Sequence, residues 1–330
     1  ANGLTVLDSE RERALLARIR ELAGEEFSGG FESIYRAILA ASRAYQNTLL
    51  GREYDRGGKT MICGLLGEKL GHSFSKVIHE ELCSYTYDLI PMPKEAVGPF
   101  LESKEFAAIN VTIPYKETVI PYLAHIDPAA QAIGAVNTIV NTDGRLYGDN
   151  TDGKGFMMSL ESNGIDVKGK RIVVLGAGGA ARAICVELAL AGAAHITIVS
   201  RPGPNNLGPS LLEILQTRTS VDAETNDWVG TYKIPAGTDI VVNATSVGLY
   251  PNVDAIPNFD LDSLTRDMFV QDVIPNPTET ALIKELRRRG IRCETGAGML
   301  INQAALNIEM WTGRKPDKMV MYKALEEALS

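Results

Sequence analysis

Lys116 closes the stretch Asn110-Val111-Thr112-Ile113-Pro114-Tyr115-Lys116, in which alternating Ile109, Val111 and Ile113 predict a half-buried strand ended by Pro114. The lysine then falls on the start of a helix. Desolvation or a neighbouring charge can tune an ammonium group held there to give or take a proton near neutral pH. A partner carboxylate is offered by Asp152 in Gly148-Asp149-Asn150-Thr151-Asp152-Gly153, and two hydroxyls by Ser73 and Ser75 just ahead of a helix carrying Val77, Ile78 and Leu82. Two hydroxyls at a helix N-terminus form a cradle for a carboxylate, because donors and dipole both favour an anion. With Gly134-Ala135-Val136-Asn137-Thr138 these make four polar clusters beside successive β-segments, which can converge on one crevice and bring Asp152 to Lys116. A substrate hydroxyl or carbonyl oxygen between the two would exchange a proton with the lysine.

The elements that must position these groups start at Met61, where short β-runs begin to alternate with helical segments in the manner of an α/β domain. A second α/β unit opens on Arg171-Ile172-Val173-Val174-Leu175. It turns through Gly176-Ala177-Gly178-Gly179-Ala180 into a helix with Ile184, Leu188 and Leu190. A GxGxxA sequence between strand and helix predicts a dinucleotide site, with glycines for the tight turn and exposed amides for a pyrophosphate. The next strand ends at Ser200-Arg201, a cation where NAD sites usually place an acid, so a 2′-phosphate and hence NADP is favoured. Gly296-Ala297-Gly298 begins a helix reaching Thr312-Gly313, from which backbone amides could face the cofactor and Gln303 could reach substrate. A terminal helix from about Asp317 to Leu329 is expected to fold back on the first α/β unit.

With 330 residues, 45% of them hydrophobic, the chain can bury more than one core. Its net charge of -8 leaves no basic stripe for a nucleic acid, and no apolar run is long enough to span a bilayer. A cytoplasmic enzyme of small molecules is expected, with no membrane partner. Cys63, Cys83, Cys185 and Cys293 form no CxxC pair and the four histidines no HExxH, so neither disulfides nor a metal site is expected. Residues 1–50 read as two amphipathic helices and residues 51–59 as a polar linker.

The order GHSFS, NVTIPYK, GAVNT, NTDGKG, GAGGAAR, NATSVG and GAGML followed by Gln303 resembles the shikimate dehydrogenases over residues 60–330. The resemblance implies reversible NADPH-dependent reduction of 3-dehydroshikimate to shikimate, on the route to chorismate, with quinate and NAD as the nearest alternatives. It implies a substrate-binding α/β domain at 60–155 plus 299–330 and a Rossmann-like NADP-binding domain at 156–298. It assigns Lys116 and Asp152 to catalysis. Ser73, Ser75 and Thr112 fall to the ring carboxylate, and Asn137, Asp152 and Gln303 to hydroxyls. The cofactor falls to Gly176, Ala177, Gly178, Gly179, Ala180, Ser200, Arg201, Val273 and Gly296. Two positions depart from the family: Pro275 stands where a substrate-contacting tyrosine is common, and Lys76 where proline is usual. Upstream, Gly-Leu-x-Val-x-Asp-x-x-Arg-Glu from Gly3 and Ser42-Arg43-Ala44-Tyr45-Gln46 resemble the second and third helices of the all-helical chorismate mutases, without the long first helix. That resemblance carries Asp8, Arg11, Glu12, Ser42 and Gln46 into a partial site and suggests a homodimer, and a bifunctional mutase and dehydrogenase as a further alternative.

Overall fold

A computed structural model describes residues 62–70, 73–80 and 85–329. The mutase-like stretch with Asp8, Arg11, Glu12, Ser42 and Gln46, the linker at 51–59, and His72 and Cys83 lie outside the described residues.

The first α/β unit runs β1 (Ile62–Gly67), α1 (Ser75–Glu80), β2 (Thr86–Pro91), α2 (Lys94–Ser103), β3 (Ala108–Val111), β4 (His125–Ile126), α3 (Pro128–Ile133), β5 (Thr138–Thr142) and β6 (Arg145–Asp149). Its strands form one mixed sheet in the order β2-β1-β3-β5-β6-β4. β1, β2 and β3 are parallel, while β5 runs antiparallel to both β3 and β6. That reversal decides where the polar clusters meet. Asn110 on β3 pairs with Thr138 on β5, which pairs with Asp149 on β6. The ends of β1, β3 and β6 therefore share one sheet edge with the start of β5.

The strand carrying the opening motif differs from expectation in two ways. All four residues of β3 are buried, not alternate ones, and it ends at Val111, leaving Ile113 77% exposed beyond the sheet. A sheet covered on both faces buries successive residues, so alternation does not mark its central strands. Lys116 stands in a turn that leads to a 3₁₀ helix at Ile120–Tyr122, not on an α-helix.

The second unit contains α4 (Thr151–Ser162), β7 (Arg171–Leu175), α5 (Gly179–Leu190), β8 (His195–Ser200), α6 (Gly208–Arg218), β9 (Asp222–Asp227), β10 (Tyr232–Lys233), β11 (Ile240–Asn243), β12 (Phe259–Asp260), β13 (Phe269–Asp272), α7 (Ala281–Arg288) and β14 (Arg292–Glu294). Six strands form an all-parallel sheet in the order β14-β13-β11-β7-β8-β9, and β10 and β12 make a small pair. Numbered along the chain this is the order 3-2-1-4-5-6 of a doubly wound nucleotide-binding sheet, whose direction of winding reverses between β7 and β11. Continuous apolar runs such as Ile172-Val173-Val174-Leu175 suit strands covered on both faces.

α8 (Ala297–Thr312) and α9 (Lys318–Leu329) close the chain. Ile301, Ala304, Ala305 and Ile308 of α8 and Met321 and Leu325 of α9 bury against Ile78 of α1, which returns the C-terminus to the first unit. α4 joins the two units. Its first turn stands at the edge of the first sheet, while Phe156 and Leu160 lie in the core under β7 and α5.

Candidate active site

α4 positions the carboxylate. Asn150 caps it by accepting from the Asp152 amide at 3.1 Å, and its own amide group donates to Ala135 O at 3.0 Å. Lys154 ties the same turn down, donating to Asp149 at 2.7 and 2.8 Å and to Asp127 at 3.2 Å. Burial raises the Asp149 carboxyl above the ordinary range, and Lys154 opposes that rise. Two glycines let α4 approach its neighbours closely. A Cβ on Gly153 would lie 2.5 Å from Ala183 O of α5, and one on Gly155 would lie 2.7 Å from the Gln303 amide of α8.

Lys116 is fixed from the other side, its carbonyl accepting from Val136 N at 2.8 Å. Its Nζ donates to Asp152 Oδ2 at 2.5 Å, and both side chains are mostly buried. Asn137, 3% exposed, donates to Asp152 Oδ1 at 2.8 Å and to Thr151 Oγ1 at 3.0 Å, while its Oδ1 accepts from Thr151 N at 2.8 Å. Thr151 Oγ1 donates to Asn307 Oδ1 at 2.9 Å. Asn307 in turn donates to Gln303 Oε1 at 3.1 Å, and Gln303 Nε2 donates to Leu300 O at 3.1 Å. The structure thus brings Lys116, Asp152, Asn137 and Gln303 into one network. A carboxamide nitrogen has two hydrogens, so Gln303 keeps one for a ligand.

The serines are linked to each other. Ser73 Oγ accepts from Ser75 N at 3.2 Å. Tyr87 donates to Asn110 Oδ1 at 2.8 Å, and Asn110 approaches Asn137 O at 3.4 Å. Thr112 donates its amide to Leu66 O at 2.9 Å, just beyond the end of β3. Lys76 is engaged by β2 and its own helix: its Nζ donates to Tyr87 O at 3.1 Å and pairs with Glu80 at 3.1 Å. Pro275 is half-buried beyond β13.

The dinucleotide turn follows β7 at the reversal point. Gly176 has φ +106°, and a Cβ there would lie 2.8 Å from Ala244 O, so glycine is required by the fold. Gly178 and Gly179 are exposed, and a Cβ on either would meet nothing within 4 Å. That open ground before the first turn of α5, with Ala177 and Ala180 half-buried beside it, fits a pyrophosphate on free helix amides. Gly296 is buried where a Cβ would come within 2.5 Å of the Val273 backbone, so these two residues adjoin by necessity. Arg201 is exposed at the end of β8. Ser200 differs, since it is 4% exposed and its hydroxyl donates to Asn206 Oδ1 at 2.7 Å, shaping the loop into α6.

Several supports escaped the sequence reading. Thr151, Asn307, Tyr87 and Asn110 brace the network around Asn137, and only Asn307, one turn beyond Gln303, had a spacing that signalled it. Asp272 is another. Fully buried, it accepts from Thr280 at 2.7 Å, Asn243 at 3.0 Å and Ile274 N at 3.1 Å, joining the ends of β11 and β13. Burial raises its carboxyl, and those donors oppose the rise. No helix among the described residues is long and apolar enough to cross a membrane.

Comparison with known proteins follows the same geography. Residues 65–139 match the shikimate dehydrogenase substrate binding domain, and residues 296–326 the shikimate 5'-dehydrogenase C-terminal domain. The shikimate dehydrogenase (NADP(+)) of Desulforamulus reducens is 38% identical over 285 residues, covering 83% of this chain and 97% of that protein. Among solved structures, a shikimate dehydrogenase in complex with NADP+ is 36% identical with a TM-score of 0.73, covering 83% of this chain and 97% of its own. The 5-ketofructose reductase of Gluconobacter sp. strain CHM43 is 37% identical with a TM-score of 0.77, covering 82% of this chain and 100% of its own. By sequence and by fold, this chain belongs to the shikimate dehydrogenase family.

Proposed function

We propose that the chain is an NADP-dependent shikimate dehydrogenase, reversibly reducing the ketone of 3-dehydroshikimate to the alcohol of shikimate. The observation that carries this reading is the Lys116–Asp152 pair, 2.5 Å apart at the sheet edge that faces the dinucleotide turn. When bound, NADPH supplies a hydride to the ketone carbon. Lys116 donates a proton to the oxygen as negative charge develops there, which lowers the barrier because the interaction strengthens toward the transition state. Asp152 keeps the ammonium aimed, and Asn137 keeps Asp152 aimed. Oxidation of the alcohol runs the same groups in reverse, with Lys116 taking the proton.

Ser73, Ser75 and Thr112 would bind the ring carboxylate, Asn137 and Gln303 the hydroxyls, and the turn Gly176 to Ala180 the pyrophosphate. Arg201 would pair with a 2′-phosphate, and Ser200, Val273 and Gly296 would line the cofactor site. In domain terms the reading divides the chain at 60–155 plus 299–330 and 156–298, with α4 a strut crossing the boundary. For residues 1–50 it offers a partial chorismate mutase-like segment and a homodimer. Comparing chorismate turnover with and without a restored first helix, alongside solution mass, tests that part.

The test of the main reading follows NADPH absorbance with shikimate and quinate against NADP+ and NAD+. Shikimate with NADP+ is expected to be turned over fastest, and Lys116→Ala to lower kcat by about 10²- to 10⁴-fold with little change in NADP+ affinity. Undiminished turnover by that variant would refute the role of the lysine. A second reading, a substrate other than shikimate such as quinate or the uncharged 5-ketofructose, is favoured by one observation: Pro275 can donate no hydrogen bond where the family commonly has a phenol. Adding 5-ketofructose to the panel separates the two.

A further inference from the structure

One turn of α5 touches the residue that follows each member of the proton-transfer pair. Arg182 Nη2 donates to Glu117 Oε1 at 2.5 Å, and Glu117 follows Lys116. Ala183, the next residue of α5, presents its carbonyl to the Cα of Gly153, which follows Asp152, closely enough that a Cβ there would come within 2.5 Å. The same helix begins at the dinucleotide turn, three residues before Arg182.

Stability of the fold does not account for the ion pair. Glu117 is 63% exposed, and exposed pairs of this kind add little to folding. Arg182 is also an odd choice in the first turn of a helix, where the dipole disfavours a cation. Its Nε is buried with no partner, a cost that a residue kept only for solubility would not carry. A guanidinium held over Glu117 instead defines where the chain leaves Lys116, while the Gly153–Ala183 contact defines where α4 places Asp152.

We propose that Arg182 is a positioning residue for proton transfer: through Glu117 it sets Lys116 against Asp152, and so ties the seat of the cofactor to the geometry of the acid. This rests on the reading of Lys116 and Asp152 given above. Small misplacement of a reacting group is enough to matter, since a shift of about 1 Å can cost on the order of 10²-fold in rate. The amides of the dinucleotide turn belong to the backbone and need no side chain of Arg182.

The experiment compares wild type, Arg182→Gln, Glu117→Gln, the double variant and Arg182→Lys by steady-state kinetics, NADP+ titration of intrinsic fluorescence, and thermal melting. Arg182→Gln and Glu117→Gln should each lower kcat by about tenfold to a hundredfold. NADP+ Kd and melting temperature should stay at wild-type values. The double variant should be no slower than either single one, because the two residues act as one unit, and Arg182→Lys should recover much of the rate. Wild-type kcat in Arg182→Gln, additive losses in the double variant, or weakened NADP+ binding at unchanged kcat would each overturn the proposal. Wild-type protein inactive on every substrate of the panel would sink the acid-pair reading and this inference together. An active wild type with an indifferent Arg182→Gln sinks the inference alone.

Discussion

Both oxygens of Asp152 are engaged within the protein, Oδ2 by Lys116 and Oδ1 by Asn137, so in the proposed reaction the carboxylate would anchor the ammonium and not serve as a second base. Lys116 has three hydrogens and a single partner among the described side chains, leaving donors for a substrate oxygen. The glycines of the dinucleotide turn separate fold from function in a way that a variant can read. Gly176 needs its positive φ, whereas Gly178 has φ -74° and open space around its missing Cβ. Gly178→Ala should therefore melt like wild type, yet raise NADP+ Kd by about tenfold or more, equivalent to about 1.4 kcal/mol of lost binding. Unchanged affinity in a fluorescence titration would mean that the pyrophosphate does not approach this residue.

At the scale of elements, the site depends on how closely α4 can lie against α5 and α8. Gly155 is the contact point with α8, where a Cβ would lie 2.7 Å from the Gln303 amide and 2.8 Å from Met299 O, both backbone atoms that cannot rotate away. Gly155→Ala should cost about 1–3 kcal/mol of stability, the usual penalty for overpacking. It should also raise the KM for substrate, because the overpacked contact pushes on α8, which carries Gln303. Urea unfolding at wild-type midpoint would contradict the first expectation, and an unchanged KM the second. The sequence announced these elements unevenly. The strands of the nucleotide-binding sheet were legible because buried parallel strands are unbroken apolar runs, and α5 because a glycine turn precedes it. Pattern alone did not disclose that β5 runs backwards, that β3 is buried on both faces, or that Gly153 and Gly155 are contact points. Those properties belong to neighbours distant in the chain. Lys116 and Asp152 were legible as types, but Thr151, Tyr87 and Asn110 were not, because a hydroxyl or an amide acquires a role only from what faces it.

At the scale of the whole molecule, the first unit is completed by helices from the far end of the chain, and one aromatic stack marks the seam. His79 of α1 lies 4.2 Å from the ring of Tyr87 on β2 and 5.2 Å from Trp311 at the end of α8, and its Nδ1 meets the Tyr85 hydroxyl at 2.7 Å. The imidazole is 1% exposed, and burial depresses its pKa from 6.5 to about 3. Folded protein therefore keeps it neutral between those values, while the unfolded chain takes up a proton. The stability that neutral His79 supports is fully present above pH 6.5 and is lost progressively as pH falls toward about 3. At roughly 1.4 kcal/mol per pH unit, acidification from 6.5 to about 4.5 should remove on the order of 2–3 kcal/mol through this group alone. His79→Asn keeps an acceptor for Tyr85 but cannot titrate. It should be less stable than wild type at pH 7, where the ring stack is lost, yet show a shallower decline in acid. Denaturant unfolding across pH 7 to 4.5 checks the difference in slope, and parallel curves for the two proteins would show that protonation of His79 does not open the seam between the first sheet and its C-terminal helices.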